Sequence, residues 1–172
     1  MLSLSDVPFA AFGGVVDRGG PPPRVPMSIE FDTPEVERLF ESVLDDLKTE
    51  FDSIYVSEDV PLFVLPGEDQ EVRVVVAPLS EDEAAVRAVS FVAKEVNSFE
   101  PGVMEYLLRE VAEHPFVRVG IDEDADIFVD MFVHGSVYSA DQLFAAVLTV
   151  YHTAVRLEHH ITLHWGGENK PN

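Results

Sequence analysis

Apolar residues recur at two different spacings along this 172-residue chain, and the spacing changes where one predicted element gives way to the next. Between Thr33 and Phe51 they fall every three or four residues, which is typical of an amphipathic helix. Thr33 can cap this helix, and Pro34 suits its first position. The apolar stripe consists of Val36, Leu39, Phe40, Val43, Leu44, Leu47 and Phe51.

Three short segments with strand character follow this helix. They are Ile54–Val56, Pro61–Leu65 and Val72–Ala77. β-Branched residues favour strands, and a proline is tolerated at the start of a strand or on an edge strand. The stretch Pro66–Asp69 predicts a turn between the second and third of these strands.

Two helices are predicted in the centre of the chain. Ser80–Glu83 has the pattern of a capping box, which predicts the start of a helix that ends near Asn97. Its buried side would carry Val86, Val89, Val92, Ala93 and Val96. A second, shorter helix is predicted from Pro101 to His114, where Pro115 stops it.

A hairpin and a long helix complete the predicted order. Phe116–Ile121 and Ile127–Val133 flank the acidic turn Asp122–Ala125, and Ser139 begins a helix that Gly166-Gly167 would end. The apolar stripe of this helix is Leu143, Val147, Val150, Ala154, Leu157 and Ile161. The order α-β-β-β-α-(α)-β-β-α predicts the α+β class, with a mostly antiparallel sheet packed with helices.

The second hairpin strand also predicts a binding surface. By strand alternation Ile127, Val129, Met131 and Val133 share one face, and Phe128, Asp130 and Phe132 share the other. If helices cover one side of the sheet, Phe128 and Phe132 would lie exposed, with Phe63 nearby on another strand. An exposed aromatic patch usually marks a partner surface, so these three phenylalanines are the predicted partner-binding residues. The alternative is that another helix or the N-terminal segment covers this face.

Composition separates a tail from a single domain. Residues 1–28 are rich in proline and glycine and predict a flexible tail, residues 29–168 predict one domain, and residues 169–172 form a short tail. The N-terminal segment does not resemble a secretory signal, because Asp6 interrupts its apolar stretch and Arg18 is its first basic residue. No apolar run reaches the roughly 18 residues of a membrane span. We therefore expect a cytoplasmic protein with no membrane partner.

The formal charge of −21 bears on the expected partners. Such a charge repels phosphate backbones and favours basic partners, so no nucleic-acid binding is expected. A generally acidic proteome or a solubility adaptation is the simpler explanation of the same charge, and mimicry of nucleic acid is a weaker alternative. The chain contains no cysteine, which excludes disulfides and thiol catalysis.

The candidate chemical sites are incomplete. Asp122, Asp124 and Asp126 begin like a calcium loop, but Ile127 and Val133 occupy the positions that need glycine and glutamate. In the last helix His160 and His164 are one turn apart, and Glu168 is a conceivable third metal ligand. Histidines near a helix C-terminus are also stabilised by its negative end without any metal. No cofactor is predicted, and an enzyme is not expected.

Several stretches of the chain resemble the YbjN family, whose fold is that of type III secretion chaperones. They are Phe91–Asn97, Met104–Arg109, Asp122–Ile127 and Trp165–Gly167. The resemblance implies a non-enzymatic protein, a homodimer that binds an extended client segment through an apolar sheet face or groove. A basic client would suit the net charge. The alternative is a regulatory domain that binds a small ligand or a metal through the histidines of the last helix.

Overall fold

The computed structural model describes residues 29–93, 101–114 and 116–165, which contain three α-helices and six strands. The helices are α1 Pro34–Glu50, α2 Pro101–Glu113 and α3 Ala140–Trp165. The strands are β1 Tyr55–Val56, β2 Leu62–Pro66, β3 Glu71–Pro78, β4 Ala84–Ala93, β5 Arg118–Ile121 and β6 Ile127–His134. The tails predicted at residues 1–28 and 169–172, Val96 and the predicted stop at Gly166-Gly167 lie outside the described residues.

All six strands form one sheet in the order β1-β2-β3-β4-β6-β5, and every neighbouring pair is antiparallel. The predicted α+β class and the antiparallel sheet are therefore confirmed. A short 3₁₀ turn, Gly135–Val137, connects β6 to α3. Within the described residues, no helix combines the length and the apolarity that crossing a bilayer requires.

The predicted ends of several elements are present. The backbone N–H of Val36 donates to Thr33 Oγ1 at 3.3 Å, so Thr33 caps α1, and Ser139 caps α3 through Gln142 in the same way. In the hairpin turn Asp122 Oδ1 accepts from the N–H groups of Asp124 and Asp126, at 3.0 and 2.9 Å. The Asp122 side chain thus stabilises the turn through hydrogen bonds from the backbone, as aspartates commonly do in turns.

The helix predicted to follow Ser80–Glu83 is wrong, because Ala84–Ala93 is the central strand β4. The backbone N–H groups of Leu79 and Ser80 both donate to the carbonyl oxygen of Glu83, which closes a tight β3–β4 hairpin where a helix start was expected. The strand is buried on both faces, so its apolar residues run nearly continuously. They therefore lack the alternation of apolar and polar residues that would indicate a strand. A cap signal before such a run does not distinguish a helix from a strand.

The core lies between one face of the sheet and the helices. Apolar residues from all three helices join a single buried cluster with the side chains of alternate strand positions. The strand residues of this cluster include Val72, Val74, Val76, Val86, Ala88, Val92, Ile127, Val129 and Val133. Buried Gln70 connects the two layers, because its amide donates to Glu158 of α3 at 2.6 Å and accepts from Ser90 of β4 at 3.2 Å.

The prediction that Phe63 is exposed is wrong, because its side chain is fully buried on the helix side of the sheet. Its ring stacks on Phe40 of α1, with centroids 4.6 Å apart and ring planes 20° apart. The register fixes this orientation, since Phe63 pairs with core-facing Val74. Phe63 therefore anchors α1 to the sheet and does not belong to a partner surface.

Replacing Phe63 with alanine should lower the free energy of unfolding by about 3–5 kcal/mol, because the change leaves a cavity beside Phe40. The matched control is Phe132→Ala, since Phe132 lies on the opposite face and is 39% exposed. Its loss should cost at most about 1 kcal/mol, the worth of a partly exposed cation–π contact. Urea unfolding followed by circular dichroism measures both, and similar losses for the two variants would contradict this assignment of faces.

Candidate functional site

The sheet has a second face, pointing away from the helices, which we call the open face. A row of side chains crosses all six strands on this face: Tyr55, Val64, Arg73, Val89, Asp130 and Arg118. Val64, Ala85 and Val89 are buried here, yet they lie outside the cluster that joins the sheet to the helices. Among the described residues, no helix packs against the open face. Its central charged side chains form hydrogen bonds with one another across neighbouring strands.

The polar centre of the open face is Asp130 on β6, whose side chain is fully buried. Arg118 of β5 binds it through two hydrogen bonds, Nε to Oδ1 and Nη2 to Oδ2, both 2.8 Å long. Arg87 of β4 donates from Nε to Oδ2 at 2.6 Å. The hydrogen bonds to Asp130 also raise the pKa of the Arg118 guanidinium. A buried carboxylate requires such partners, and here they join three adjacent strands.

Phenylalanine rings surround these guanidinium groups. The guanidinium carbon of Arg118 lies 4.4 Å from the ring centroid of Phe132, and that of Arg87 lies 5.7 Å from the same centroid. Arg87 also lies 5.1 Å from the centroid of Phe128. These distances are within the range of cation–π contacts. We call Arg87, Arg118, Phe128, Phe132 and Asp130 the Arg–Phe cluster.

Glycine on the edge strand determines where one of these rings lies. Gly120 of β5 pairs with Phe128 of β6, and a Cβ added to Gly120 would come within 2.3 Å of the Phe128 ring. The ring therefore lies directly over the glycine and covers the edge strand. An aromatic side chain opposite a strand glycine is a known way to pin strand register.

The sequence predicted part of this site. Phe128 and Phe132 do lie together on the face opposite Ile127, Val129 and Val133, with Phe132 exposed and Phe128 half-buried. The cluster of Asp130 with the two arginines was not predicted from the sequence. An available signal was the arginine in the apolar run 84–93, because a charged residue inside such a run needs a partner.

The histidines of α3 form a different arrangement on the helix side. The ring of His160 stacks on Tyr106 of α2, with centroids 4.0 Å apart and planes 16° apart. His164 and Trp165 lie close by, with ring centroids 4.4 and 5.6 Å from that of His160. Glu168 lies outside the described residues, and within the described part of the chain no three metal-ligating side chains come together. His160 thus packs between α2 and α3 through its contact with Tyr106.

Burial and neighbouring charges shift the pKa values of His160 and Tyr106 in this helix contact. Burial lowers the pKa of His160, as do the neighbouring His164 and His159, whereas Glu110 raises it. Burial also raises the pKa of the Tyr106 hydroxyl. Glu110 of α2 forms an ion pair with Arg156 of α3 at 2.7 Å. The contact between the two helices is therefore most favourable when His160 is neutral.

The arrangement of one helix layer on an antiparallel sheet resembles the fold of secretion chaperones. A chain of the HopA1–SchA chaperone–effector complex superposes with a TM-score of 0.55 at 9% identity, covering 72% of this chain and 96% of that chain. A chain of the ExsC–ExsE complex gives 0.52 at 14% identity, covering 76% and 96%. The complex of the Yersinia pestis type III secretion chaperone SycH with a fragment of YscM2 gives 0.49 at 16% identity, covering 71% and 98%. At such identities the likeness establishes the fold alone.

The chain belongs to the YbjN family. The profile of this family, described as "Putative bacterial sensory transduction regulator", matches residues 38–162. This range contains all six strands and most of the described helices. The resemblance predicted from the sequence is therefore confirmed. No curated protein sequence matches this chain significantly.

Replacing Asp130 with asparagine should lower the free energy of unfolding by roughly 3 kcal/mol, because it leaves the guanidinium of half-buried Arg87 without its counter-charge. The comparison variant is Arg118→Gln. The Arg118 side chain is 63% exposed, so losing its ion pair should cost less than about 1 kcal/mol. Urea unfolding of both variants tests this, and an equal loss for the two would show that Asp130 is not the anchor of the cluster.

Protonation of His160 should destabilise the contact between α2 and α3. Because the folded-state pKa of His160 is lowered, its stabilising contribution is present above about pH 6.5 and is lost as the pH falls below it. The urea midpoint should therefore change less between pH 7.5 and pH 5.5 in His160→Gln than in the original chain. His152→Gln is the control, because His152 is exposed on the same helix. If both variants respond to pH like the original chain, His160 is not the sensitive group.

Proposed function

We propose that this chain is a non-enzymatic, chaperone-like or adaptor-like protein that binds an extended segment of a client protein on the open face, through Phe128 and Phe132. The observation that carries the proposal is the open face itself: a broad sheet surface on which no described helix packs and on which Phe132 is exposed. Exposed apolar surface beside anchored polar groups is typical of protein-binding sites.

The related structures support a protein client. The HopA1–SchA structure is a chaperone–effector complex, and ExsC is in complex with ExsE. These partners belong to those proteins, and the fold alone does not transfer them. What does transfer is the architecture, since a sheet with one helix layer leaves its other face available to a partner.

The open face favours a binding role over a catalytic one. Asp130 is fully buried and is held by three hydrogen bonds from two arginines, so its side chain is fixed within the cluster. The phenylalanines around it offer contact area and no reactive group. The side chains of the cluster therefore hold one another in a fixed geometry, as those of a docking surface do.

We also propose that the protein is cytoplasmic and forms a homodimer. Met104 and Leu108 are exposed one turn apart on α2, and Leu163 is exposed on α3. Apolar residues one turn apart on an outer helix face suit an interface with a second copy. Because this helix surface is separate from the open face, dimer formation would leave the open face available to a client.

Binding of the client should depend on Phe132. We expect affinity purification of the tagged full chain from its native cell extract to retain a stoichiometric protein, identified by mass spectrometry, and Phe132→Ser to lose it. The control is Leu148→Ser, because Leu148 is 51% exposed on α3 and belongs to the helix side. A partner retained equally by both variants would mean that the client binds elsewhere.

A further inference from the structure

The open face carries a local positive charge in a strongly acidic chain. The charged side chains that its strands carry are Glu71, Arg73, Arg87, Arg118 and Asp130, which sum to +1 when His134 is counted as neutral. Glu83, in the turn before β4, lies 4.0 Å from His134 at the end of this face. Since the whole chain carries −21, the remaining residues carry −22. Glu71 and Arg73 pair with each other at 2.6 Å, so the excess charge lies in the Arg–Phe cluster.

The two arginines of the Arg–Phe cluster have hydrogen-bond donors that Asp130 does not use. Asp130 uses Nε of Arg87, together with Nε and Nη2 of Arg118. None of the hydrogen bonds among the described residues uses either Nη of Arg87 or Nη1 of Arg118. Each of these nitrogens carries N–H groups suited to a carboxylate. Asp130 therefore holds both guanidinium groups in place while part of each remains able to bind a second carboxylate.

Apolar contacts adjoin these donors. The exposed ring of Phe132 lies against Arg118, and the half-buried ring of Phe128 lies against Arg87. An extended segment presents alternate side chains on one side, at about 7 Å intervals. Consider a segment with one acidic side chain and apolar side chains two residues away from it. Its carboxylate would reach an arginine while an apolar side chain contacts a phenylalanine ring.

We propose that the open face binds an extended protein segment in which one carboxylate side chain is flanked, at two-residue spacing, by aromatic or aliphatic side chains. This inference rests on the proposed function and defines the chemistry of the client. It departs from the expectation of a basic client, which came from net charge alone. A lysine at the same position would face two guanidinium groups and a carboxylate that already accepts three hydrogen bonds. A nucleic-acid strand would bring many charges against the −22 of the remaining residues.

The test is selection of random 12-residue peptides displayed on phage against the immobilised full chain. Enriched peptides are then synthesised and their affinities measured by fluorescence anisotropy with the full chain and three variants. The variants are Phe132→Ser, Arg118→Gln and the control Arg109→Gln. Arg109 is the matched control because its side chain is 75% exposed and lies on α2, away from the open face.

We expect enriched peptides with an acidic residue between apolar ones, binding about tenfold more weakly to Arg118→Gln, as the loss of a charge-assisted hydrogen bond predicts. Phe132→Ser should weaken binding similarly, and Arg109→Gln should not change it. Replacing the acidic residue of the peptide with asparagine should abolish the difference between the original chain and Arg118→Gln.

Three other outcomes overturn the inference. Basic or uncharged peptides that depend on Phe132 but not on Arg118 would refute the acidic segment and leave the proposed function intact. Failure to enrich any peptide that depends on Phe132 would refute both. A dimer that Phe132→Ser converts to a monomer, measured by light scattering, would show that a second copy occupies the face.

Discussion

A single layer of helices covers only one face of a sheet, and the rest of this structure depends on how the other face is stabilised. Val74, Val86 and Val129 lie under the helices, where apolar side chains are sufficient. On the open face the same central strands also carry apolar residues, and no described helix covers them. Arg87 and Arg118 stabilise this face. Their aliphatic stems can cover apolar neighbours while their guanidinium groups reach Asp130 and the phenylalanine rings.

The elements that the sequence predicts correctly are those whose signals are local. The α1 helix has a cap, a proline at its first position and one apolar stripe, and the β5–β6 hairpin has an Asx-type turn between alternating strands. The error at β4 has a physical cause. A strand buried on both faces loses its alternation, and only the strands on either side of it decide between helix and strand. Ala84–Ala93 is a strand because β3 and β6 both pair with it.

The candidate site could be predicted only where one strand was sufficient. Alternation along β6 placed Phe128 and Phe132 on one face without any knowledge of the neighbouring strands. Phe63 was misplaced because the face it occupies depends on its register with Val74, which nothing within β2 reveals. Arg87 and Asp130 are 43 positions apart and meet only when β4 pairs with β6. Contacts of this kind require the sheet order, so a single sequence cannot supply them.

Net charge and contact chemistry are separate properties in this protein. The charge of −21 acts on a partner at a distance, but salt screens it beyond roughly 8–10 Å, so the groups at the contact determine which segment fits. An acidic surrounding also affects specificity. In the proposed complex, a segment with one carboxylate would be repelled over most of the surface and would find donors at the Arg–Phe cluster, so repulsion elsewhere would restrict where it binds. The same repulsion would lower the association rate, and the apolar contacts with Phe128 and Phe132 would then supply much of the affinity.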